Sequence, residues 1–193
     1  MLKNVALFCA SSTKIDDKFH EDAVLLAELL VKNNISIRYG GGAAGLMGTV
    51  ANTMMQLGGT VTGIIPEFMM KMEWGNNDIT DLIVVNDMAE RKKMIIENTD
   101  AVITLAGGIG TLDELVEVIT LKQLGQYTKP IIVLNTNNFF KYLLLQLEQM
   151  IDQRFMRLQH GELWHVVKSP EEVINALHSL EEVDKSIISS AQV

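Results

Sequence analysis

Short apolar runs alternate with longer amphipathic stretches along the 193 residues of this chain. The short runs lack the polar alternation of a half-exposed strand, which is typical of strands buried on both faces of a parallel sheet. The longer stretches repeat apolar residues at helical spacing, as positions 23, 26, 27, 30 and 31 do in the first of them. The pattern therefore predicts an α/β fold: a Rossmann-like, doubly wound parallel sheet with helices on both faces.

Six strands and six helices follow from this alternation, and a seventh strand lies at the sheet edge. The predicted strands span residues 5–9, 35–39, 60–65, 82–85, 101–105 and 130–134, and the edge strand spans residues 163–167. The predicted helices span residues 19–31, 46–57, 88–98, 111–124, 138–154 and 170–182. Residues 67–80 form the least regular segment, and its Met69, Met70, Met72 and Trp74 suit a lid or a subunit contact.

Length and composition favour one globular domain, which we place at residues 1–184, with residues 185–193 as a frayed tail. Apolar residues make up 48% of the chain and charged residues 21%, which is not the composition of a disordered protein. The formal net charge of −8 argues against a nucleic acid polymer as partner, because such ligands need clustered Lys and Arg. One small phosphorylated ligand remains compatible, since a few backbone N–H groups and one Arg can hold it.

We expect a cytoplasmic protein without a membrane partner. No apolar run reaches the length of a membrane span, and a strand pattern begins at residue 5 without a signal-peptide core. The single cysteine, Cys9, excludes an internal disulfide and is better suited to a core position than to a nucleophile. The four histidines show no metal-ligand spacing, so we expect no metal site.

The most informative segment is a glycine-rich loop between a predicted strand and a predicted helix, at residues 105–114. Its three glycines let a phosphate approach the backbone, and the N–H groups of the helix start favour an anion. Thr111 can cap the helix or bind a phosphate oxygen. Glu114 is either a carboxylate that acts beside the phosphate or the second member of a T-x-x-E capping box with Thr111. The residues alone leave both interpretations open.

In chain order the loop at residues 105–114 is the second glycine loop; the first, at residues 40–45, satisfies the pattern G-x-G-x-x-G. It predicts a dinucleotide site only weakly, because it follows the second strand and no well-placed acidic residue closes the next one; Glu67 lies just beyond Pro66. The alternative is a tight strand-to-helix turn. Both glycine loops follow strands, so they belong to the carboxyl edge of the sheet, where ligands bind.

Two polar segments are expected at the same edge. Arg91, in the run at residues 88–93, can pair a phosphate or a carboxylate through two N–H bonds. The alternative for this run is a solvated helix face with intrahelical Glu–Lys pairs. Residues 11–13 follow the first strand, and they either cap the next helix or add hydroxyls, that of Ser11 among them, to the phosphate-binding edge.

Taken together, these residues resemble the LONELY GUY family, the cytokinin riboside 5′-monophosphate phosphoribohydrolases. The family signature P-G-G-x-G-T-x-x-E reads A-G-G-I-G-T-L-D-E here, at residues 106–114. Three further motifs match in order: F-C-A-S-S at residues 8–12, Y-G-G-G followed by G-L-M-G at residues 39–48, and M-A-E-R-K at residues 88–92. Ala10 replaces the usual Gly and Ala106 the usual Pro. Without the rigid φ of proline, the loop at residues 106–114 is predicted to be softer, although it keeps its own glycines, Thr111 and Glu114.

The resemblance implies hydrolysis of the N-glycosidic bond of a nucleoside 5′-monophosphate, a cytokinin riboside 5′-monophosphate or AMP, to free base and ribose 5-phosphate. It implies Arg91 and Glu114 as the catalytic pair, no metal, no organic cofactor, and a homodimer whose site is completed near the subunit contact. The substrate contacts that it implies are Glu73, Arg91, Lys92, Gly108, Ile109, Gly110, Thr111, Leu112, Asp113, Glu114 and Thr120. The loops themselves add Ser11, Gly41, Gly42 and Gly107 to these predicted contacts.

Two other functions fit parts of the sequence. A non-catalytic nucleotide- or phosphate-binding module would keep the glycine loops without needing the Arg91 and Glu114 pair. An NAD(P)-dependent oxidoreductase would use residues 40–45, but the strand that follows lacks the expected acidic residue. A lysine decarboxylase label has sometimes been attached to family members. No lysine in this chain stands out as a Schiff-base residue, and glycine loops alone do not specify a pyridoxal cofactor.

Overall fold

Seven parallel strands form one sheet in the computed structural model, which describes residues 3–72 and 74–179. The strands are β1 (Asn4–Phe8), β2 (Ser36–Tyr39), β3 (Val61–Pro66), β4 (Asp81–Val85), β5 (Ala101–Thr104), β6 (Ile131–Leu134) and β7 (His165–Val167). Their order across the sheet is β4-β3-β2-β1-β5-β6-β7, and all neighbours pair in parallel. The chain therefore winds outward in both directions from β1 and β5, which confirms the predicted doubly wound sheet.

Helices cover both faces of this sheet. They are α1 (Asp17–Lys32), α2 (Gly45–Gln56), α3 (Glu67–Met70), α4 (Met88–Ile96), α5 (Ile109–Gln123), α6 (Lys141–Asp152) and α7 (Pro170–Ser179). Two 3₁₀ turns, Thr136–Asn138 and Leu158–Glu162, flank α6. Helices α1, α2 and α7 pack into the core on one face, and α4, α5 and α6 into the core on the other. None of the described helices is long and apolar enough to cross a membrane.

The central strand β1 shows why the chain forms such a sheet. Val5 and Leu7 point into the core beneath α1 and α2, whereas Ala6 and Phe8 point into the core beneath α5. All four side chains are almost fully buried, so neither face of the strand tolerates a polar residue. This is the physical origin of the unbroken apolar runs in the sequence.

Helix α6 is shorter than predicted, because two residues near its ends adopt the left-handed backbone conformation. Asn138 has a φ of 56° and Arg154 a φ of 64°, and a right-handed helix does not continue through either conformation. The helix predicted at residues 138–154 therefore spans only Lys141–Asp152. Residues 180–193 lie outside the described part of the chain, and with them the predicted tail and the end of the last predicted helix.

Helix α1 begins two residues earlier than predicted, at Asp17, because Asp16 supplies its cap. The carboxylate of Asp16 accepts a hydrogen bond of 2.9 Å from the backbone N–H of Lys18. Residues 11–13 are therefore not the cap of this helix, and that interpretation is wrong. Ser11 lies instead in the loop that follows β1, at the carboxyl edge of the sheet.

Candidate active site

A cleft of about 600 Å³ opens at the carboxyl edge of the sheet, beside the reversal of strand order. The loops after β1, β2 and β5 form its walls, together with helix α4. A cleft at this point is the usual ligand site of a doubly wound sheet. Among the predicted site residues, those that line it are Ser11, Gly42, Arg91, Gly108, Ile109, Gly110, Thr111 and Glu114.

Arg91 and Glu114 form an ion pair inside this cleft. Nη1 of Arg91 donates a hydrogen bond of 3.1 Å to Oε1 of Glu114, and each side chain is only 9% exposed. Arg91 comes from α4 and Glu114 from α5, so the fold brings together two residues that lie 23 positions apart in the sequence. Arg91 is buried, and its interpretation as part of a solvated helix face is therefore wrong.

The start of α5 excludes the capping box predicted for Thr111 and Glu114. The helix begins at Ile109 after Gly108, and no side chain caps it. Thr111 therefore lies inside the first turn rather than at the cap position, and the Glu114 carboxylate bonds to Arg91 instead. The geometry leaves Glu114 as a buried carboxylate beside a glycine loop.

Burial controls the charge of this carboxylate. Desolvation raises the pKa of Glu114 from 4.5 to about 7; the positive charges of Arg91 and Lys92 oppose the rise, and the negative charges of Asp113 and Glu117 add to it. The group therefore titrates near neutral pH. A carboxyl with such a pKa in a cleft is suited to holding or moving a proton.

The glycines of the second loop serve two different purposes. A Cβ on Gly107 would lie 2.1 Å from Oγ1 of Thr111, so Gly107 permits the tight turn into α5. A Cβ on Gly108 or Gly110 would meet no atom within 4 Å, so these two positions leave open space at the helix N-terminus. Backbone N–H groups beside open space at a helix start are able to bind a phosphate.

Arg91 is further anchored by two backbone carbonyls. Its Nε donates to the carbonyl of Ile64 at 3.2 Å, and its Nη2 donates to the carbonyl of Gly40 at 3.1 Å. Gly40 follows β2 and Ile64 belongs to β3, so the guanidinium lies across the ends of two strands. Such a side chain is held in one place before any ligand arrives.

Cys9 lines the cleft close to Glu114. Its side chain is buried, and desolvation raises the pKa of the thiol, with a further rise from the negative charge of Glu114. The thiol form therefore predominates, which agrees with the prediction that Cys9 is a small buried residue rather than a nucleophile.

Several predicted substrate contacts lie elsewhere. On the outer side of α4 and α5, Nζ of Lys92 pairs with Oδ2 of Asp113 at 3.0 Å. Thr120 is exposed on the same side of α5 and donates to the carbonyl of Val116 at 2.8 Å, and Leu112 lies there too. Gly41 and Gly107 shape the loops without lining the cleft, and Glu73 lies outside the described residues.

The segment predicted as a lid or a subunit contact docks along the first glycine loop. The backbone N–H of Ala43 donates to the carbonyl of Trp74, and that of Asn76 donates to the carbonyl of Gly41. Met69 and Trp74 line the cleft as a result. Two lining methionines, Met47 and Met88, were not singled out from the sequence, although both stand within the matched motifs.

Comparisons with known proteins agree with the motifs. The family model described as "Possible lysine decarboxylase" matches residues 47–177. Cytokinin riboside 5′-monophosphate phosphoribohydrolase LOG5 of Arabidopsis thaliana is 34% identical over 190 residues, 98% of this chain and 83% of the relative. The cytokinin riboside 5′-monophosphate phosphoribohydrolase of Rhodococcoides fascians is 36% identical, over 92% of this chain and 90% of the relative. The chain belongs to the LONELY GUY family.

The fold of this LONELY GUY family member is also similar to that of several solved structures. The molybdenum cofactor binding protein of Rippkaea orientalis superposes with a TM-score of 0.70 at 19% identity, over 93% of this chain and 97% of that one. The molybdenum cofactor carrier protein of Chlamydomonas reinhardtii gives 0.71 at 15% identity, over 98% and 99%. At such low identity these likenesses concern the architecture alone.

Proposed function

We propose that this LONELY GUY family member hydrolyses the N-glycosidic bond of a nucleoside 5′-monophosphate, releasing the free base and ribose 5-phosphate. The observation that carries the proposal is the buried ion pair of Arg91 and Glu114 beside the open glycine loop at the start of α5. The names of the curated relatives, which refer to cytokinin riboside 5′-monophosphates, support the same reaction. AMP has the same phosphate and ribose and is the simpler substrate of this class.

The chemistry needs a carboxylate near the sugar. When the bond from C1′ to the base nitrogen breaks, its electron pair leaves with the base and positive charge develops on the ribose. The Glu114 carboxylate stabilises that charge and takes a proton from the attacking water, whose oxygen bonds to C1′. Glu114 then passes this proton to the departing base, so that water is divided between the sugar hydroxyl and the base and the carboxylate is regenerated. The loop at Gly108 and Gly110 holds the 5′-phosphate, which fixes the ribose against Glu114.

Two competing functions receive less support. A module that only binds phosphate does not need the buried carboxylate of Glu114, whose ionised form is disfavoured by burial. A decarboxylase that forms a Schiff base needs a lysine at its reaction centre, and the described residues that line the cleft include none. The hydrolase accounts for both the anion loop and the carboxylate.

We also propose that two copies of the chain form a homodimer through the outer face of α5. Ile109, Val116 and Leu124 are 81%, 45% and 55% exposed along this side of the helix. Ile109 lines both the cleft and this outer face, so a second copy bound there would border the cleft. In such a dimer, residues predicted as substrate contacts but found on the outer face, such as Thr120, would lie near a bound substrate.

The proposed reaction is tested with a panel of nucleoside monophosphates that includes AMP and its N6-isopentenyl derivative, with chromatography for released base. The wild-type protein is expected to release free base, and Glu114→Gln to bind nucleotide while losing on the order of 100-fold or more in kcat. The exposed Glu148→Gln on α6 is the matched control and should keep full turnover. Binding without any release of base by the wild-type protein would favour the non-catalytic module instead.

A further inference from the structure

Arg91 reaches the cleft from a distant element. It belongs to α4, which follows the edge strand β4, and its side chain crosses the end of β3 to reach the loop after β2. Of the five N–H groups of a guanidinium, three donate to described partners: the carbonyls of Ile64 and Gly40 and the carboxylate of Glu114. One N–H on each terminal nitrogen therefore remains to contact a substrate.

Space, and not backbone conformation, requires glycine at position 40. A Cβ at Gly40 would lie 1.9 Å from Nη2 and 3.0 Å from Cζ of Arg91. The next residue, Gly41, differs because its φ of +74° is itself unfavourable for a side chain. Since φ at Gly40 lies outside the left-handed region, the backbone would accept an alanine there, whereas the guanidinium of Arg91 would have to move away.

We propose that Gly40 is a positioning residue for the reaction and that it acts through Arg91. Its bare Cα admits the guanidinium, and its carbonyl accepts a hydrogen bond from Nη2. These two features together set the distance of Nη1 from Glu114. The inference rests on the proposed hydrolysis and assigns to the first glycine loop the task of fixing the arginine.

Kinetics of Gly40→Ala test this role. The displaced guanidinium should lower kcat on the order of 100-fold, since small misplacements of catalytic groups have effects of that size. The pKa of Glu114 should rise as the positive charge moves away, so the acid limb of the profile of kcat/KM against pH should move to higher pH. The control is Gly161→Ala, where a Cβ would meet the nearest atom, Cδ1 of Ile151, at an ordinary 3.6 Å.

A double-mutant cycle with Arg91→Ala decides whether Gly40 acts through the arginine. Truncating Arg91 removes the clash, so adding Gly40→Ala should reduce neither the residual kcat nor the melting temperature any further. Equal losses from Gly40→Ala with and without the arginine would overturn the proposal. Should Gly40→Ala alone fail to fold, the double variant is still expected to fold, and its failure would also count against the proposal.

The cycle separates this inference from the proposed reaction. If the wild-type protein hydrolyses no nucleotide, the proposed function fails, and the role of Gly40 in the reaction fails with it. The melting temperatures of the four proteins nevertheless report whether Gly40 and Arg91 are coupled in the fold. If the effects of the two substitutions on the melting temperature are not additive but no nucleotide is hydrolysed, the contact between Gly40 and Arg91 is structural and has no part in catalysis.

Discussion

At the scale of single residues, Glu114 stands out because its surroundings oppose its own charge. The carboxyl is buried, and desolvation raises its pKa to about 7 in spite of the contact with Arg91. An enzyme tolerates such a group when it needs the group near neutral pH for proton transfer. Ionisation of the buried Glu114 should therefore lower the free energy of unfolding by a measurable amount.

Glu114→Gln should therefore become more stable relative to wild type as the pH rises. Between pH 4.5 and about 7 the folded wild-type protein binds more protons at this site than the unfolded chain does, so its free energy of unfolding falls with pH. Glu114→Gln has no titrating group at this position, so its free energy of unfolding escapes this fall, which amounts to at most about 3 kcal/mol in the wild-type protein. Urea denaturation at pH 4.5 and pH 8 measures it. An unchanged difference between the two proteins at both pH values would contradict the assigned pKa.

Lys122 shows that a buried charged residue need not belong to the cleft. Its side chain is fully buried on α5, and desolvation lowers its pKa from 10.5 to about 8. Nζ donates a hydrogen bond of 2.8 Å to the carbonyl of Lys129, which follows the end of the helix. Lys122 does not line the cleft, so it connects α5 to the loop before β6 rather than serving as a Schiff-base lysine.

At the scale of elements, helices α4 and α5 are joined by three neighbouring ion pairs. Arg91 meets Glu114 inside the cleft, and Lys92 meets Asp113 and Glu117 on the outer side. The outer charges also act on Glu114, because Lys92 lowers its pKa whereas Asp113 and Glu117 raise it. The interface of the two helices thus sets both the position and the charge of the carboxylate.

Neutralising either member of the ion pair between Lys92 and Asp113 should shift the acid limb of kcat/KM, in opposite directions for the two residues. Asp113→Asn removes a negative charge, lowers the pKa of Glu114 and should extend activity to lower pH. Lys92→Met removes a positive charge and should move the limb to higher pH. The exposed Asp152→Asn on α6 is the control and should leave the limb in place. A shift in the same direction for both variants would show that Glu114 does not carry the limb.

The sequence predicted the strands well because burial on both faces leaves an unambiguous apolar run. It predicted helix ends less well, since a left-handed Asn138 looks like any polar residue before the structure is known. It also left Glu114 undecided, because T-x-x-E spacing does not tell where the helix begins. Met47 was missed for a related reason: a methionine on a helix is normally read as a core residue, and its place beside Gly42 depends on the loop.

At the scale of the whole molecule, the apolar residues exposed on the outer face of α5 predict a homodimer. Val116→Asp places a charge on an exposed position of this face and should yield a folded monomer with reduced turnover. Light scattering coupled to size exclusion measures the mass of each variant. Leu145→Asp, on the exposed side of α6, is the control and should remain dimeric. A wild-type protein that is monomeric and fully active would contradict the proposed dimer.

The ion pair of Arg91 and Glu114 also joins the two halves of the sheet, and this has a consequence for refolding. Arg91 belongs to the half built from β1 to β4, and Glu114 follows β5, which pairs with β1 through contacts such as Val5 with Ala101. Parallel pairings across such long separations in sequence form slowly, because a large loop must close first. We therefore expect activity to return only after β1 and β5 have paired, so that recovery of activity in a refolding experiment measures completed folding.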